Sequence, residues 1–392
     1  MRVFESLTGQ FAVKGKLEEL IRTGAPGHAH LFLGESGAGK RTFARAYARA
    51  LMCVNGDGEN PGTGGENYKV GGARGFGADG PPCGACLPCK LLENNALDDY
   101  LEIGPTGQGQ RPAIPIDAVR RVIDWIQVRP LYSRVKVCVI TQADHMNAHA
   151  QNALLKTLED PPAYGALILT ASNRGMLLET VLSRCDTTRF STYTEPELVE
   201  ILRGLPDAPP DTVIPLYAGL SGGNPGFAAG LALSGTFLSH RDELLGLFCG
   251  MLDGDARSMY GLAAFLVKNR DEFSRDSVVM IQWLRDLWLL SINSYGSPGS
   301  TPEGDGRTGA RRVFESLPGG IVNTDMARRL GGYRGRFRPE DLLDCVSRID
   351  GAHTSVSANA NYSLAVNAML FYLNDKLYKR TDIDGGRNRR TF

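Results

Sequence analysis

Three short stretches of this chain are apolar almost throughout: His30-Leu31-Phe32-Leu33, Val135-Lys136-Val137-Cys138-Val139-Ile140 and Ala166-Leu167-Ile168-Leu169-Thr170-Ala171. Runs of this length without polar alternation read as strands covered on both faces. Helical patterns lie between them. Thr42 to Arg49 follows the first run, and Ala150 to Glu159 follows the second and stops at Pro161-Pro162. Ile116 to Val128 is amphipathic, with Val119, Val122, Ile123 and Ile126 inward, Arg120 and Arg121 outward, and Asp117 as its cap. Strands alternating with helices predict an α/β domain built on a parallel sheet.

At Thr194 the pattern changes. Thr194 and Glu197 have the spacing of a capping box, and only helical periodicity follows. Residues 194–234 form a small unit containing Gly222-Gly223-Asn224-Pro225-Gly226. Long amphipathic helices run from about 236 to Tyr372, among them Ile281 to Leu290. Three segments lack apolar anchors and read as disordered: a glycine-rich insert at 54–82, a Gly/Ser/Pro/Thr loop at 295–310 and a basic tail at 381–392.

Charge narrows the function. Lys plus Arg and Asp plus Glu are balanced at 43 each, so any nucleic-acid contact must come from a local patch. No apolar run approaches a membrane span and the N-terminus lacks a signal-peptide core, so a cytoplasmic protein is expected.

The chemistry concentrates at two places. Gly34-Glu35-Ser36-Gly37-Ala38-Gly39-Lys40-Arg41 reads G-x-x-x-x-G-K between a strand and a helix, the context of a phosphate-binding loop. Backbone N–H groups and a helix N-terminus would face phosphates, and Lys40 would reach the β/γ oxygens. The residue after the lysine should carry a hydroxyl for Mg²⁺. Here it is Arg41, a cation where a metal ligand belongs, and Thr42 comes one residue late. The second strand ends in Thr141-Gln142-Ala143-Asp144, where such ATPases carry carboxylates. Neither Thr141 nor Gln142 titrates near neutrality, and Asp144 sits too far along and caps the next helix instead. Mg²⁺ is therefore not expected, while ATP or ADP binding without turnover stays open.

The other place is Cys83-Gly84-Ala85-Cys86-Leu87-Pro88-Cys89, with Cys53 upstream after a helix. Four thiolates suit tetrahedral Zn²⁺, an iron–sulfur cluster is the rival, and reduced structural thiols are the bland reading. Cys138, Cys185, Cys249 and Cys345 lie in apolar contexts as buried fillers.

Taken together, Ala29–Gly34, the cysteine module, Asn152-Ala153-Leu154-Leu155-Lys156-Thr157-Leu158-Glu159-Asp160-Pro161-Pro162 and Leu182-Ser183-Arg184-Cys185 resemble the AAA+ clamp-loader subunits of bacterial DNA polymerase III. Asn359 to Ala365 resembles them more weakly. The resemblance implies a RecA-like AAA+ domain at 1–192 with a zinc module near 53–89, a helical lid at 193–234 and a helical collar at 235–392. It also implies gamma/tau ATPase subunits and a delta subunit as partners, with the sliding clamp and primed DNA reached through the complex. In this family the arginine of Ser-Arg-Cys, here Arg184, projects into a neighbour's ATP site; otherwise it is a surface ion-pair partner. Asn173 falls at the first sensor position, where it would bind a γ-phosphate or only cap its strand. Pro225 stands where ATPase members carry a sensor arginine. With Arg41 and Thr141-Gln142, that makes three departures, which resemble the non-hydrolysing, delta-prime-type branch. The rivals are an active gamma/tau-like ATPase, a free-standing P-loop enzyme and a zinc-dependent DNA-binding module. Arg120 and Arg121 are a solvated helix face or a DNA phosphate contact.

Overall fold

The computed structural model describes residues 3–23, 27–54, 82–107, 112–292, 320–358 and 360–378. The insert expected at 54–82, apart from its two end residues, lies outside them, as do the 295–310 loop, the 381–392 tail and Asn359. Contacts group the chain into two compact units, Met1–Tyr193 with Asn224–Gly226, and Thr194–Gly223 with Phe227–Phe392. The stretch 193–234, expected as a separate lid, groups with the helices that follow it except for Tyr193 and 224–226.

The first unit runs α1 (Phe11–Arg22), β1 (Ala29–Leu33), α2 (Lys40–Met52), α3 (Leu87–Glu93), β2 (Tyr100–Ile103), α4 (Ile116–Gln127), β3 (Lys136–Ile140), α5 (Ala148–Glu159), β4 (Gly165–Ala171), α6 (Glu179–Leu182) and β5 (Asp186–Arg189). All four strand pairings are parallel, in the order β2-β3-β4-β1-β5. Successive strand residues point to opposite faces, so the central strands feed two cores. Phe32, Val137, Val139 and Ile168 pack with α1 and α2 residues such as Leu17, Phe43 and Tyr47. Leu31, Cys138, Ile140, Leu167 and Leu169 pack with Val122, Ile126 and Leu154 of α4 and α5. This two-sided burial is why β1, β3 and β4 are apolar at nearly every position. β2 and β5 lie at the sheet edges; sequence periodicity did not anticipate them, because β2 is only half-buried and β5 reads Asp-Thr-Thr-Arg.

Two expected caps fail. Pro115 occupies the N-cap of α4, with Asp117 in the first turn, because the fixed φ of Pro115 already starts the helix. Asn147, not Asp144, caps α5, its side chain accepting from Ala150 N–H at 2.9 Å. The Thr194–Glu197 capping box is present.

The second unit is helical among the described residues: α7 (Glu195–Arg203), α8 (Ile214–Leu220), α9 (Pro225–Leu233, of which Phe227 onward groups here), α10 (Phe237–Leu252), α11 (Ala256–Lys268), α12 (Phe273–Ile292), α13 (Ala327–Gly331), α14 (Pro339–Ser357) and α15 (Tyr362–Leu377). Trp283 of α12 is fully buried. Beside it a buried polar network pins 320–325. Asp286 accepts from the N–H groups of Val322 (3.1 Å) and Asn323 (2.8 Å), and Arg241 donates to Asn323 and Asp325 at 2.7 Å each.

In the first unit a single buried carboxylate shapes the entry to β3. Asp99, with no exposed surface, accepts from the N–H groups of Leu131 (2.8 Å), Tyr132 (2.7 Å) and Ser133 (2.8 Å) and from Ser133 Oγ (2.9 Å). Asp99→Ala is expected to destabilise the unit by about 2–4 kcal/mol, since several donors lose their acceptor at once. Urea unfolding should read that loss, and hydrogen exchange at 131–133 should accelerate. Exchange unchanged at those amides would show that water replaces the carboxylate.

Candidate functional site

The parallel sheet places the C-terminal ends of β1, β3 and β4 side by side, and the glycine loop leaves β1 there. Gly37 and Gly39 both adopt φ +84°, a conformation that side-chain-bearing residues rarely tolerate. Gly39 is the N-cap of α2, so the loop delivers Lys40 as the first helical residue. The Lys40 ammonium turns into the loop. It donates to the carbonyls of Gly34 and Glu35 at 2.6 Å each and to Ser172 Oγ at 3.3 Å. Burial lowers its pKa, against the opposing pull of Asp144 and Glu35.

Asn224 Nδ2 donates to Ser36 O at 2.6 Å, and Gly226 N–H donates to Gly37 O at 3.0 Å. The turn containing Pro225 therefore lies on the carbonyl side of the loop. Pro225 itself brings neither charge nor N–H.

Arg41 does not point where a metal ligand would. Its Nε is bound to Glu102 of β2, and its side chain is 62% exposed. Arg45 Nε donates to the other Glu102 oxygen at 2.7 Å, as does Tyr100 Oη at 2.8 Å. Burial works against the Glu102 charge, but Arg45, Tyr100 and Arg41 together hold its pKa below the ordinary value. The sequence reading missed Glu102; it lies on an edge strand far along the chain, and no local spacing links it to Arg41.

The strand ends are occupied by neutral groups. Thr141 Oγ1 donates back to Ile103 O at 3.0 Å, and Gln142 N–H donates to Thr170 Oγ1 at 3.0 Å. Asp144 holds the end of β4: its Oδ2 accepts from the N–H groups of Ser172 (3.0 Å) and Asn173 (2.9 Å). The expected role as a helix cap is replaced because those two N–H groups leave the sheet without a strand partner. Asn173 Oδ1 accepts from Gly175 N–H at 2.9 Å and starts the short turn 174–176.

Arg184, just after α6, makes an intramolecular ion pair. Nε donates to Glu159 Oε1 at 2.8 Å, Nη2 donates to the same oxygen, and Nη1 donates to Thr180 O at 2.8 Å. Its side chain is 32% exposed. Arg120 and Arg121 are both exposed, with Arg120 3.3 Å from Asp117.

The four cysteines come together. Cys53 ends α2, Cys86 caps α3, and Cys89 lies in α3. The sulfurs of Cys53, Cys83, Cys86 and Cys89 all lie within 4.8 Å of one another, Cys53 and Cys86 at 4.0 Å. Four thiolates around a tetrahedral zinc, with Zn–S near 2.3 Å, would stand roughly 3.8 Å apart, so the donor set fits a metal ion with little movement. Backbone N–H groups of Cys83 (3.4 Å) and Cys86 (3.2 Å) point at sulfurs of the cluster, as outer partners of ligands do. Without a cation, the neighbouring Cys53 together with burial pushes the Cys89 thiol far up. Cys138, Cys185, Cys249 and Cys345 are buried singly.

A glycine loop from the end of a parallel strand into a helix, with its lysine in place, defines a P-loop α/β domain. Comparison with known proteins narrows it. A family model described as "DNA polymerase III, delta subunit" matches residues 75–194. The delta' subunit of Pseudomonas aeruginosa DNA polymerase III is 32% identical over 199 residues, covering 50% of this chain and 53% of that protein. The tau/gamma subunit of Haemophilus influenzae is 30% identical over 184 residues, 47% of this chain and 23% of that protein. A DNA polymerase III gamma subunit-related protein of Thermotoga maritima aligns with 92% of this chain and 99% of its own, at 16% identity and a TM-score of 0.40. The chain thus spans about half the length of one of these curated relatives and a quarter of the other. Through its first half the chain is similar to clamp-loader subunits of DNA polymerase III.

Elemental analysis of the purified chain is expected to give about one zinc per chain and no visible iron absorbance. Cys86→Ser should abolish it and loosen 82–93, while the sheet, with its own two cores, stays folded. A metal-free chain, or a coloured one, would contradict this.

Proposed function

We propose that this chain is a delta-prime-type subunit of a DNA polymerase III clamp loader: it does not hydrolyse ATP, and it supplies Arg184 to the ATP site of a neighbouring subunit. The observation that carries the proposal is the uncharged end of β3. Thr141 turns its hydroxyl onto Ile103 O, Gln142 has no acid, and Arg41 is tied to Glu102. Phosphoryl transfer on a P-loop needs a carboxylate to hold Mg²⁺ and a group to orient water; no side chain at 141 or 142 offers the first. Gly34, Gly39 and Lys40 remain as a phosphate cradle, so nucleotide without turnover is compatible with the loop, with Asn173 serving as cap. Zinc at Cys53, Cys83, Cys86 and Cys89 has a structural role.

In this reading the protein has three functional parts: an AAA+ domain at 1–192, a lid at 193–234 and a collar at 235–392. The collar meets the gamma/tau and delta subunits through apolar surface. Support comes from the exposure of Tyr260 on α11 and of Leu364 and Phe371 on α15. The sliding clamp and primed DNA are reached through the complex. No helix among the described residues is long and apolar enough to cross a membrane, which fits work in the cytoplasm.

The second reading, an active gamma/tau-like ATPase, is favoured by the tau/gamma relatives and by the intact lysine. Turnover decides between them. ATP hydrolysis by the isolated chain is expected to equal that of Lys40→Ala; hydrolysis above that control would make the chain an ATPase.

Arg184→Ala should leave folding, metal content and assembly intact but lower ATP hydrolysis by the loader reconstituted with its own ATPase subunits. An arginine finger is worth about 10³–10⁵ at its site, so the share of turnover from one site should vanish. Arg184→Lys should rescue poorly, because an ammonium lacks the planar fork. A wild-type rate with Arg184→Ala would leave Arg184 as a surface ion-pair partner.

A further inference from the structure

We infer that Glu159 is the positioning residue of the Arg184 finger; this rests on the trans-acting role proposed for Arg184. A guanidinium has five N–H bonds, and it grips a phosphate when two of them point the same way. On this chain the Nε and Nη2 groups share one oxygen of Glu159, so one edge of the fork is fixed. Nη1 donates to Thr180 O at 2.8 Å and, more weakly, to Ser183 Oγ at 3.3 Å. Counting these contacts leaves one Nη2 hydrogen uncommitted. The Ser183 contact is the longest of the set and the first to yield. Once it opens, Nη1 and Nη2 each present a hydrogen along the edge opposite Nε, while Glu159 and Thr180 still hold the plane.

The supporting elements are rigid. Glu159 is the last residue of α5, halted by Pro161 and Pro162, and Thr180 lies in α6, which packs on α5. Buried Gln151 ties the two together, donating to Met146 O (3.0 Å) and Met176 O (2.9 Å) and accepting from Leu178 N–H (2.8 Å). Glu159 thus stands at a fixed distance from the start of the finger. An arginine is otherwise free to sample many rotamers, and holding it in one before the neighbour arrives removes that ordering from the reaction. An exposed pair like this adds little to stability, since Glu159 is 52% exposed; its effect is on orientation.

The test is a double-mutant cycle in the reconstituted loader, reading ATP hydrolysis against ATP concentration. Glu159→Ala is expected to lower kcat of the site by about three- to ten-fold, the range for losing one ordered long side chain. KM should be unchanged, because the finger acts on the transferring phosphoryl group and not on binding. Glu159→Gln, whose carbonyl oxygen still accepts, should lie between Glu159→Ala and wild type. In an Arg184→Ala background, Glu159→Ala should add nothing. Thermal unfolding and zinc content of each variant check that the chain is folded.

Two results overturn the inference: wild-type kcat with Glu159→Ala while Arg184→Ala is impaired, or a Glu159→Ala loss that persists undiminished in the Arg184→Ala background. If Arg184→Ala itself has no effect, the trans-acting finger fails, and the positioning role fails with it for that separate reason.

Discussion

A divalent cation on a P-loop needs carboxylate oxygens, and the strand end that would provide them carries a hydroxyl and an amide. The neighbouring contacts are arranged around that lack of charge. Thr141 commits its hydrogen to Ile103 O, and Arg41 runs to Glu102. Lys40 settles among carbonyls, where burial lowers its pKa against the pull of Asp144 and Glu35. The Arg41–Glu102 pair, exposed only on its arginine side, fixes where the positive charge lies. The fold is held by the two apolar cores on either side of the sheet.

Those cores also decide what could be read from sequence. β1, β3 and β4 are legible because both faces are buried and nearly every position is apolar. β2 and β5 are not, because an edge strand buries little and its residues follow no periodicity. The glycine loop and Cys83-Gly84-Ala85-Cys86-Leu87-Pro88-Cys89 are local motifs, and the structure places both where their spacing implied. Cys53 was legible for a related reason, since the end of α2 carries it to the cluster. The partners of the site residues lie beyond that reach. Glu102 for Arg41, Asp144 for Ser172 and Asn173, and Glu159 for Arg184 are brought together only by the order of strands in the sheet. Sequence spacing assigned Asp144 to a helix because an acidic residue shortly before a helix is usually its cap; here two N–H groups at a strand end had the stronger claim.

The chain also separates its capacities in space. The loop after β1 is closed on its own carbonyls, the cysteine cluster ties the end of α2 to α3, and Arg184 stands beyond β4 on the α5–α6 side.

The glycines of the loop have little room for anything else. A Cβ on Gly34 would come within 2.8 Å of Phe190 Cβ, one on Gly37 within 2.3 Å of Asn224 Oδ1, one on Gly39 within 3.1 Å of Tyr193 Oη, and one on Gly226 within 2.6 Å of Gly37 Cα. The positive φ of Gly37 and Gly39 adds a second barrier to substitution. Lys40 in turn satisfies two carbonyls of the loop. The nucleotide signature is therefore constrained by packing, backbone conformation and the lysine's own hydrogen bonds, apart from any bound nucleotide. The loop motif thus reports on architecture, whereas Arg41 and the pair at the end of β3 bear on whether ATP can be turned over.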